Sequence, residues 1–321
     1  MTSFTTVNRI WISYLFEIKR ALSLKFATKH RDKSEYFSGY GRDVLSANSG
    51  NVKLAEMILR GNPFCVARLG AQESNAIKWF LKKKAYLTRH IRQKEIHLLH
   101  NNAGFFPPHE EAVEQYAQTI LDLMPEVDLY ACWNTSMERY YVRNCLKDEA
   151  VLAYYLLLEP YYHENPWSAA LAGKKILVIH PFAGTIEAQY RKRNKLFEKK
   201  EILPDFELKT LKAVQTCAGQ SCEYSSWFDA MEHMYQRAMS IEFDVAIIGC
   251  GAYAFPLACK LKKSGRSAIT ICGPTQILFG IRGSRWDNHP IISKLYNSEW
   301  VSASPQETPA QYQKVEGGCY W

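Results

Sequence analysis

Apolar runs alternate with segments of helical periodicity in the second half of the chain. Four runs are typical of strands in a buried sheet: residues 175–180, 206–214, 243–248 and 267–272. Three segments between them carry apolar residues at helical spacing: 185–199, 227–240 and 254–263. Strands and helices that alternate across short connections form βαβ units and a parallel sheet. The pattern predicts an α/β fold of the Rossmann-like, doubly wound type, with a mostly parallel sheet and flanking helices.

The first half of the chain has the same character with shorter runs. Residues 64–67 and 127–132 are predicted strands, and helices are predicted at 52–59, 74–84 and 110–123. The organisation that we predict has three parts: an amphipathic helix and linker at 1–45, an α/β domain at 46–300 and a tail at 301–321. Within the α/β domain, subunits are expected at about 46–150 and 174–300.

The N-terminal segment 9–26 has the spacing of an amphipathic helix. Its apolar residues are Ile10, Trp11, Tyr14, Leu15, Ile18, Leu22 and Phe26, and its cations are Arg9, Lys19, Arg20 and Lys25. The apolar stretch is too short to span a bilayer, and no signal-peptide cleavage pattern follows it. Two interpretations stay open: an interfacial helix on an anionic membrane, or a helix packed on the protein's own core.

Composition narrows the class of protein. The 321 residues are 47% hydrophobic and 22% charged, as in an ordinary globular protein. Nine cysteines, several of them in apolar runs, favour a reducing compartment, so we expect a cytoplasmic protein, peripheral on the inner face of the membrane if the N-terminal helix is an anchor. The net charge of +8 favours anionic partners. No arginine- and aromatic-rich signature accompanies it, so nucleic acid is not expected.

The best-marked ligand motif is the turn Gly249-Cys250-Gly251, which follows a predicted strand and precedes a predicted helix. Two glycines allow close approach of a phosphate, and the N-terminus of a helix favours an anion. A nicotinamide site would need an acid after the next strand, yet no Asp or Glu occurs between Cys250 and Trp286. The motif therefore favours another phosphorylated ligand. The alternative is a glycine turn that serves only tight strand–helix packing.

Three further polar clusters follow predicted strands. Their candidate residues are Arg68, Gly70 and Glu73 in the first, His180, Glu187, Arg191 and Asn194 in the second, and Arg282, Arg285 and Asp287 in the third. Arginines suit phosphate binding, and a carboxylate suits a metal or a general base. The first and third clusters also have an ordinary explanation, since Glu is favoured in the first turn of a helix and exposed arginines are common.

Taken in order, the segments from about residue 60 to 290 resemble the GT-D type of bacterial glycosyltransferase. Its Arg-Phe-Gly-Asp-Gly-Glu motif is similar to residues 68–73, its Asn-x-Leu-Phe helix to residues 194–197, and its final strand, small-residue turn and Gly-x-x-Ala to 245–251 and 265–268. One departure concerns metal: the Asp-x-Glu of the family is Ala71-Gln72-Glu73 here, so only one of two carboxylates is present.

The resemblance implies a transferase that moves a sugar from a nucleotide-diphosphate donor to a glycan or lipid-linked acceptor in surface polysaccharide assembly. Catalytic candidates are Glu73, Glu187 and Asp287. Donor-binding candidates are Arg68, Gly70, His180, Arg191, Asn194, Gly249, Gly251, Arg282 and Arg285. Glu73 is also the candidate ligand for Mg²⁺ or Mn²⁺, which a cluster of arginines would otherwise replace. The alternatives are a Rossmann-type methyltransferase, a nicotinamide enzyme and a non-catalytic sugar-nucleotide-binding protein.

Overall fold

The computed structural model describes residues 3–26, 37 and 39–321, with side chains of the first helix described up to residue 19. Leu22, Phe26, Arg20 and Lys25 of the predicted amphipathic pattern therefore lie outside the described side chains. The described strands are β1 Val44–Leu45, β2 Cys65–Ala67, β3 Leu129–Cys132, β4 Val151–Tyr154, β5 Lys175–His180, β6 Glu207–Lys212, β7 Val245–Ile248 and β8 Ser267–Thr270.

These strands form one eight-stranded sheet in the order β1-β4-β3-β2-β8-β7-β5-β6, with parallel pairing throughout. The α-helices are α1 Phe4–Phe26, α2 Ala47–Arg60, α3 Ala71–Lys84, α4 Gln93–Ala103, α5 Glu110–Leu123, α6 Glu138–Asn144, α7 Ala183–Tyr190, α8 Arg193–Leu196, α9 Trp227–Met239, α10 Ala254–Lys263 and α11 Thr275–Leu278. The predicted α/β fold with a parallel sheet and flanking helices is confirmed.

Helices cover both faces of the sheet, which explains why its central strands are continuously apolar. Successive residues of one strand enter different cores. In β5, Leu177 and Ile179 pack with α3, α5, α9 and α10 on one face, whereas Ile176 and Val178 pack with α2, α7 and α11 on the other. Each face is thus buried under its own layer of helices.

Two strands, β1 and β4, were not predicted from the sequence. The edge strand β1 has two residues, too few to show a periodicity. Strand β4, Val151–Tyr154, is followed without a break by an apolar 3-10 turn at Tyr155–Leu158. Its apolar character was visible, but the boundary between strand and turn was not.

The helix predicted at 185–199 was wrong in its length. The structure has α7, then a break at Arg191 and Lys192, then the single turn of α8. The carbonyl of Leu196 accepts a hydrogen bond from Trp300 Nε1 at 2.9 Å instead of one from its own helix. Packing with a distant segment therefore ended the helix.

The strand order reverses near the middle of the sheet. From β2 the chain moves outward through β3 to β4, and on the other side β7 and β8 bring it back until β8 pairs with β2. The two predicted subunits of the α/β domain thus contribute to one sheet. In doubly wound folds, ligands bind outside the carboxyl ends of strands at such a reversal. Among the described residues, no helix has the length and apolarity to cross a bilayer.

Candidate functional site

A cavity of about 220 Å³ lies where the segments that follow β2, β5, β7 and β8 meet. It brings together seven of the predicted site residues: Arg68, Gly70, Glu73, His180, Gly249, Gly251 and Arg285. Ligand pockets for small molecules usually have volumes of about 300–1,000 Å³. The cavity is therefore somewhat smaller than a complete nucleotide sugar requires in its present conformation.

Gly70 and Glu73 form one unit at the start of α3. Gly70 is the N-cap, and Glu73 is the acidic residue of the first turn. A Cβ at position 70 would lie 2.1 Å from Glu73 Oε2, so only glycine allows the carboxylate to fold back over the N-terminus of the helix. The pair places one carboxylate at the base of the cavity.

The pKa of Glu73 is raised from its ordinary value. Burial is the main cause, and the nearby charge of Glu316 adds to it; the backbone of Glu73 itself and the charge of Arg68 act in the opposite direction. A carboxyl group with a raised pKa in a cleft is typical of residues that exchange protons with a substrate. Glu73 can therefore accept a proton from a hydroxyl bound beside it.

Arg68 enters the same cavity from the end of β2. Its backbone N–H donates to Thr270 Oγ1 at 3.1 Å, which ties the strand end to β8. The guanidinium lies 5.1 Å from the ring centroid of Trp133 and 5.7 Å from that of Tyr155. Its Nε is buried and has no hydrogen-bond partner among the described residues. No ion pair joins this guanidinium to a carboxylate among the residues that the structure describes, so an anion would complete its environment.

His180 ends β5 and is buried in the wall of the cavity. Burial lowers its pKa to about 3, so the ring is neutral at physiological pH. Its Nδ1 accepts a hydrogen bond from the backbone N–H of Phe182 at 3.0 Å. The proton of the neutral ring is therefore on Nε2, and the ring is a hydrogen-bond donor rather than a base.

The two glycines of the turn after β7 are both required by packing. A Cβ on Gly249 would lie 2.4 Å from Thr275 Oγ1 and 2.8 Å from His180 Cδ2. Gly251 has a φ of 58°, and a Cβ there would lie 2.7 Å from the carbonyl oxygen of Ala103. The turn borders the cavity, but close packing alone accounts for its glycines. Its contact with a phosphate stays a prediction.

Arg285 joins the cavity to the C-terminal tail. Its guanidinium pairs with the carboxylate of Glu316 and lies 4.6 Å from the ring centroid of Tyr320. The carbonyl of Tyr320 accepts a hydrogen bond from Gln276 Nε2 at 3.0 Å, and the ring of Trp321 lies 6.0 Å from that of Phe182. The tail thus covers one side of the cavity with two aromatic rings.

Five predicted site residues lie outside the cavity: Glu187, Arg191, Asn194, Arg282 and Asp287. Glu187 is exposed on α7 and accepts a hydrogen bond from Thr210 Oγ1 of β6. Arg282 donates from Nη2 to the carbonyl of Asn297 at 3.0 Å and lies over the ring of Tyr296. These residues follow the correct strands, but their side chains are directed to neighbouring segments or to solvent.

Several lining residues were not identified from the sequence: Trp133, Cys272, Gln276 and Glu316. Trp133 directly follows a predicted strand, and its Nε1 donates to the carbonyl of Leu69 at 2.7 Å. The rule that selected Arg68 and His180 as strand-end residues would have selected Trp133 as well. Glu316 carried no such signal, because it belongs to a segment without periodicity.

The fit of a divalent cation rests on two carboxylates, Glu73 and Glu316, that line the cavity. No group of three or more His, Cys, Asp or Glu side chains with the geometry to hold a metal occurs among the described residues. Mg²⁺ often takes only one or two protein carboxylates, with water and substrate phosphates as its other ligands. Glu73 suits such an arrangement, but Glu316 already pairs with Arg285. The two carboxylates of the cavity therefore fit a divalent cation only in part.

No protein-family model and no curated protein matches the sequence. Two solved structures are similar in fold. One is described as the highly conserved domain of unknown function 1792, with a distinct glycosyltransferase fold; it is 13% identical, the match covers 85% of this chain and 95% of that one, and the TM-score is 0.42. The other is a selenomethionine-substituted structure of the same domain, 14% identical over 78% of this chain and 95% of that one, with a TM-score of 0.38.

Proposed function

We propose that this chain is a glycosyltransferase that moves a sugar from a nucleotide-diphosphate donor to a glycan or lipid-linked acceptor in bacterial surface polysaccharide assembly. The observation that carries the proposal is the guanidinium of Arg68, half-buried and in no ion pair among the described residues, in one cavity with Glu73. An unpaired cation beside a buried carboxyl suits a reaction in which a diphosphate leaves and a hydroxyl loses its proton.

The donor diphosphate is proposed to bind between Arg68, Arg285 and His180. The two arginines neutralise the charge that develops on the leaving group, and the Nε2–H of His180 donates a hydrogen bond to one of its oxygens. Because Arg285 pairs with Glu316 in this structure, the diphosphate competes with that carboxylate for the guanidinium. Binding of the donor is thus linked to movement of the tail, which would also enlarge the cavity.

In the transfer step, an acceptor hydroxyl attacks the anomeric carbon of the sugar. The bond between its oxygen and the anomeric carbon forms, the bond from that carbon to the β-phosphate oxygen breaks, and the hydroxyl proton passes to the carboxylate of Glu73. General-base catalysis of this kind contributes about 10²- to 10⁴-fold to the rate. The rings of Tyr320 and Trp321 at the cavity offer apolar surfaces for a sugar. Glu187 and Asp287, outside the cavity, are not assigned to this step.

A divalent metal stays a prediction. If Mg²⁺ or Mn²⁺ is bound, Glu73 would hold it together with the donor phosphates, and the metal would supply positive charge that offsets the negative charge of the leaving diphosphate. Activity measured after chelation with EDTA and again after addition of each metal tests this directly. Full activity in EDTA would assign neutralisation of the diphosphate to the arginines alone.

A ligand panel tests the proposed function against its alternatives. Thermal unfolding of the full chain is followed with UDP, GDP, CDP, dTDP, S-adenosylmethionine and NAD, since a ligand that binds only the folded state raises the midpoint. If the chain binds a nucleotide-sugar donor, at least one nucleoside diphosphate is expected to raise the midpoint of thermal unfolding. A shift with S-adenosylmethionine or NAD alone would instead favour the methyltransferase or the nicotinamide enzyme.

Turnover distinguishes the enzyme from a binding protein. With the stabilising nucleotide identified, the corresponding sugar donors are assayed for slow hydrolysis, which needs no knowledge of the acceptor. The wild type is expected to release the nucleoside diphosphate, and Glu73→Gln is expected to do so at least about 100-fold more slowly. Tight binding without release from any donor would support a non-catalytic sugar-nucleotide-binding protein.

A further inference from the structure

Helix α1 contacts the protein with one face and leaves the opposite face uncovered. On the contacting face, Ile10 and Ser13 are buried, and Arg139 Nη1 donates to Ser13 Oγ at 3.1 Å. Glu17 pairs with Lys78 of α3 at 3.2 Å and accepts the backbone N–H of Met137. These contacts fix the rotation of the helix, so its outer face is a permanent feature of the surface.

The outer face is apolar from Trp11 to Ile18, and Phe4 lies on the same side two turns earlier, with the exposed Asn8 between. The exposed fraction is 80% for Phe4, 39% for Trp11, 56% for Ile12, 56% for Leu15 and 41% for Ile18. These residues follow the helical spacing that places them on neighbouring turns of one side. They make up most of the large exposed hydrophobic side chains among the described residues, the others being Val52, Leu59, Tyr86 and Ile291. A contiguous apolar stripe of this kind marks an interaction surface.

Positive charge borders the stripe, and negative charge is absent from it. Arg9 and Lys19 are exposed on α1, and the helix contains one acid, Glu17, which faces the body of the protein. No salt bridge engages Arg9 or Lys19 within the described part of the chain. The charge pattern therefore selects for a partner that is apolar and anionic together.

Two more cations lie beside the contact between α1 and α3. Lys82 Nζ donates to the hydroxyl of Tyr14 at 3.3 Å and lies 4.2 Å from the ring centroid of Trp79. The guanidinium of Arg92 lies 4.3 Å from the centroid of the same ring. Their charges are held by aromatic rings rather than by carboxylates, so they remain available to anionic groups at the surface.

We infer that the outer face of α1 docks on an anionic membrane surface, with Phe4, Trp11, Leu15 and Ile18 in the interface between headgroups and acyl chains. Apolar residues on one side, cations at the border and a length of 23 residues fit a helix that lies in the plane of the membrane. Basic residues near an anionic bilayer strengthen such binding. A second copy of this chain would cover the stripe but would bring its cations close together.

The position of α1 also bears on the acceptor, a point that rests on the proposed function. Helix α3 begins at the cavity and contacts α1 through Lys78 and Lys82. At a rise of about 1.5 Å per residue, Lys82 lies roughly 14 Å along the helix from Glu73. Docking of α1 would hold the cavity near the bilayer, which favours the lipid-linked class of acceptor over a soluble glycan.

Vesicle co-sedimentation of the full chain tests the docking surface without any substrate. The wild type is expected to sediment with vesicles of phosphatidylcholine and phosphatidylglycerol, to bind less as salt is added, and to stay in the supernatant with phosphatidylcholine alone. The double variant Trp11→Glu, Leu15→Glu is expected to lower the partition coefficient at least about tenfold. A matched control, Val52→Glu with Leu59→Glu, alters two exposed apolar residues of α2 and is expected to bind like the wild type.

A second, milder variant keeps the test valid if Trp11→Glu, Leu15→Glu does not fold. Arg9→Gln with Lys19→Gln keeps the apolar stripe and is expected to weaken both the binding and its dependence on salt. Equal binding by wild type and both α1 variants, or no binding of the wild type to anionic vesicles, overturns the inference. Light scattering that finds a dimer dissociated by Trp11→Glu, Leu15→Glu would likewise overturn it and assign the stripe to self-association. Because no nucleotide takes part, these results are independent of the glycosyltransferase proposal.

Discussion

Substitution of Arg68 by methionine separates binding from stability in this protein. Methionine keeps the length and flexibility of the side chain and removes its charge and its N–H groups. In the wild type, Nε is buried with no hydrogen-bond partner in the described part of the chain, and the guanidinium lies near the rings of Trp133 and Tyr155. The change therefore removes an unsatisfied polar group together with two favourable ring contacts.

The two effects on the free energy of unfolding oppose each other. An unsatisfied buried donor costs about 1–3 kcal/mol, and a cation over an aromatic ring contributes about 0.5–1 kcal/mol, or about 2 when desolvated. Because two ring contacts are lost and one unsatisfied donor is removed, the variant is expected to gain at most about 2 kcal/mol of stability or to lose at most about 3 kcal/mol. Loss of charge-assisted hydrogen bonds to a diphosphate, at about 1.5–3 kcal/mol, is expected to weaken its binding roughly 10- to 150-fold.

Denaturant unfolding and calorimetric titration with the nucleoside diphosphate that stabilises the wild type measure these two quantities. Arg282→Met is a matched control, because Arg282 also has a buried Nε without a partner and lies 5.1 Å from the ring centroid of Tyr296, but is outside the cavity. The control is expected to bind the nucleotide normally. A variant at Arg68 that loses more than about 3 kcal/mol of stability and still binds the nucleotide like the wild type would mean that the arginine is structural.

Three further changes are predicted. Because burial raises the pKa of Glu73, its stabilising contribution is present in acid and lost as the pH rises through the folded-state pKa. Glu73→Gln should therefore be more stable than the wild type at neutral pH, and the difference in unfolding free energy should close in acid. A difference that stays constant with pH would refute this cause. Gly249→Ala, whose Cβ would meet Thr275 Oγ1 at 2.4 Å, should lose about 1–3 kcal/mol in denaturant unfolding; wild-type stability would contradict the packing argument. Deletion of residues 318–321 removes ring contacts to Phe182 and Trp286 and should lower the thermal midpoint, whereas an unchanged midpoint would mean that the tail is not held by them.

The sequence by itself determined the class of fold and several of the strand-end residues that line the candidate cavity. Strands such as β5 and β7 are buried on both sides of the sheet, so they appear as short apolar runs whatever packs on them. Short connections through helices require parallel strands, and parallel strands bring their carboxyl ends to one edge. That geometry follows from local patterns, which is why Arg68, Glu73 and His180 were found together.

Only the tertiary structure decided which strand-end side chains reach the cavity. Glu187 follows β5, whose last residue is His180, yet α7 directs it towards Thr210 of β6, because the rotation of a helix depends on what packs beneath it. The tail is the clearest case. Residues without periodicity carry no local signal of where they dock. Glu316 pairs with Arg285 in a tail that is held by hydrogen bonds from Gln276 Nε2 to the carbonyl of Tyr320 and from the backbone N–H of Arg285 to the carbonyl of Cys319. The exposed residues of α1 could not be predicted either. The spacing of its residues shows an apolar stripe, but only packing determines which of them are left exposed.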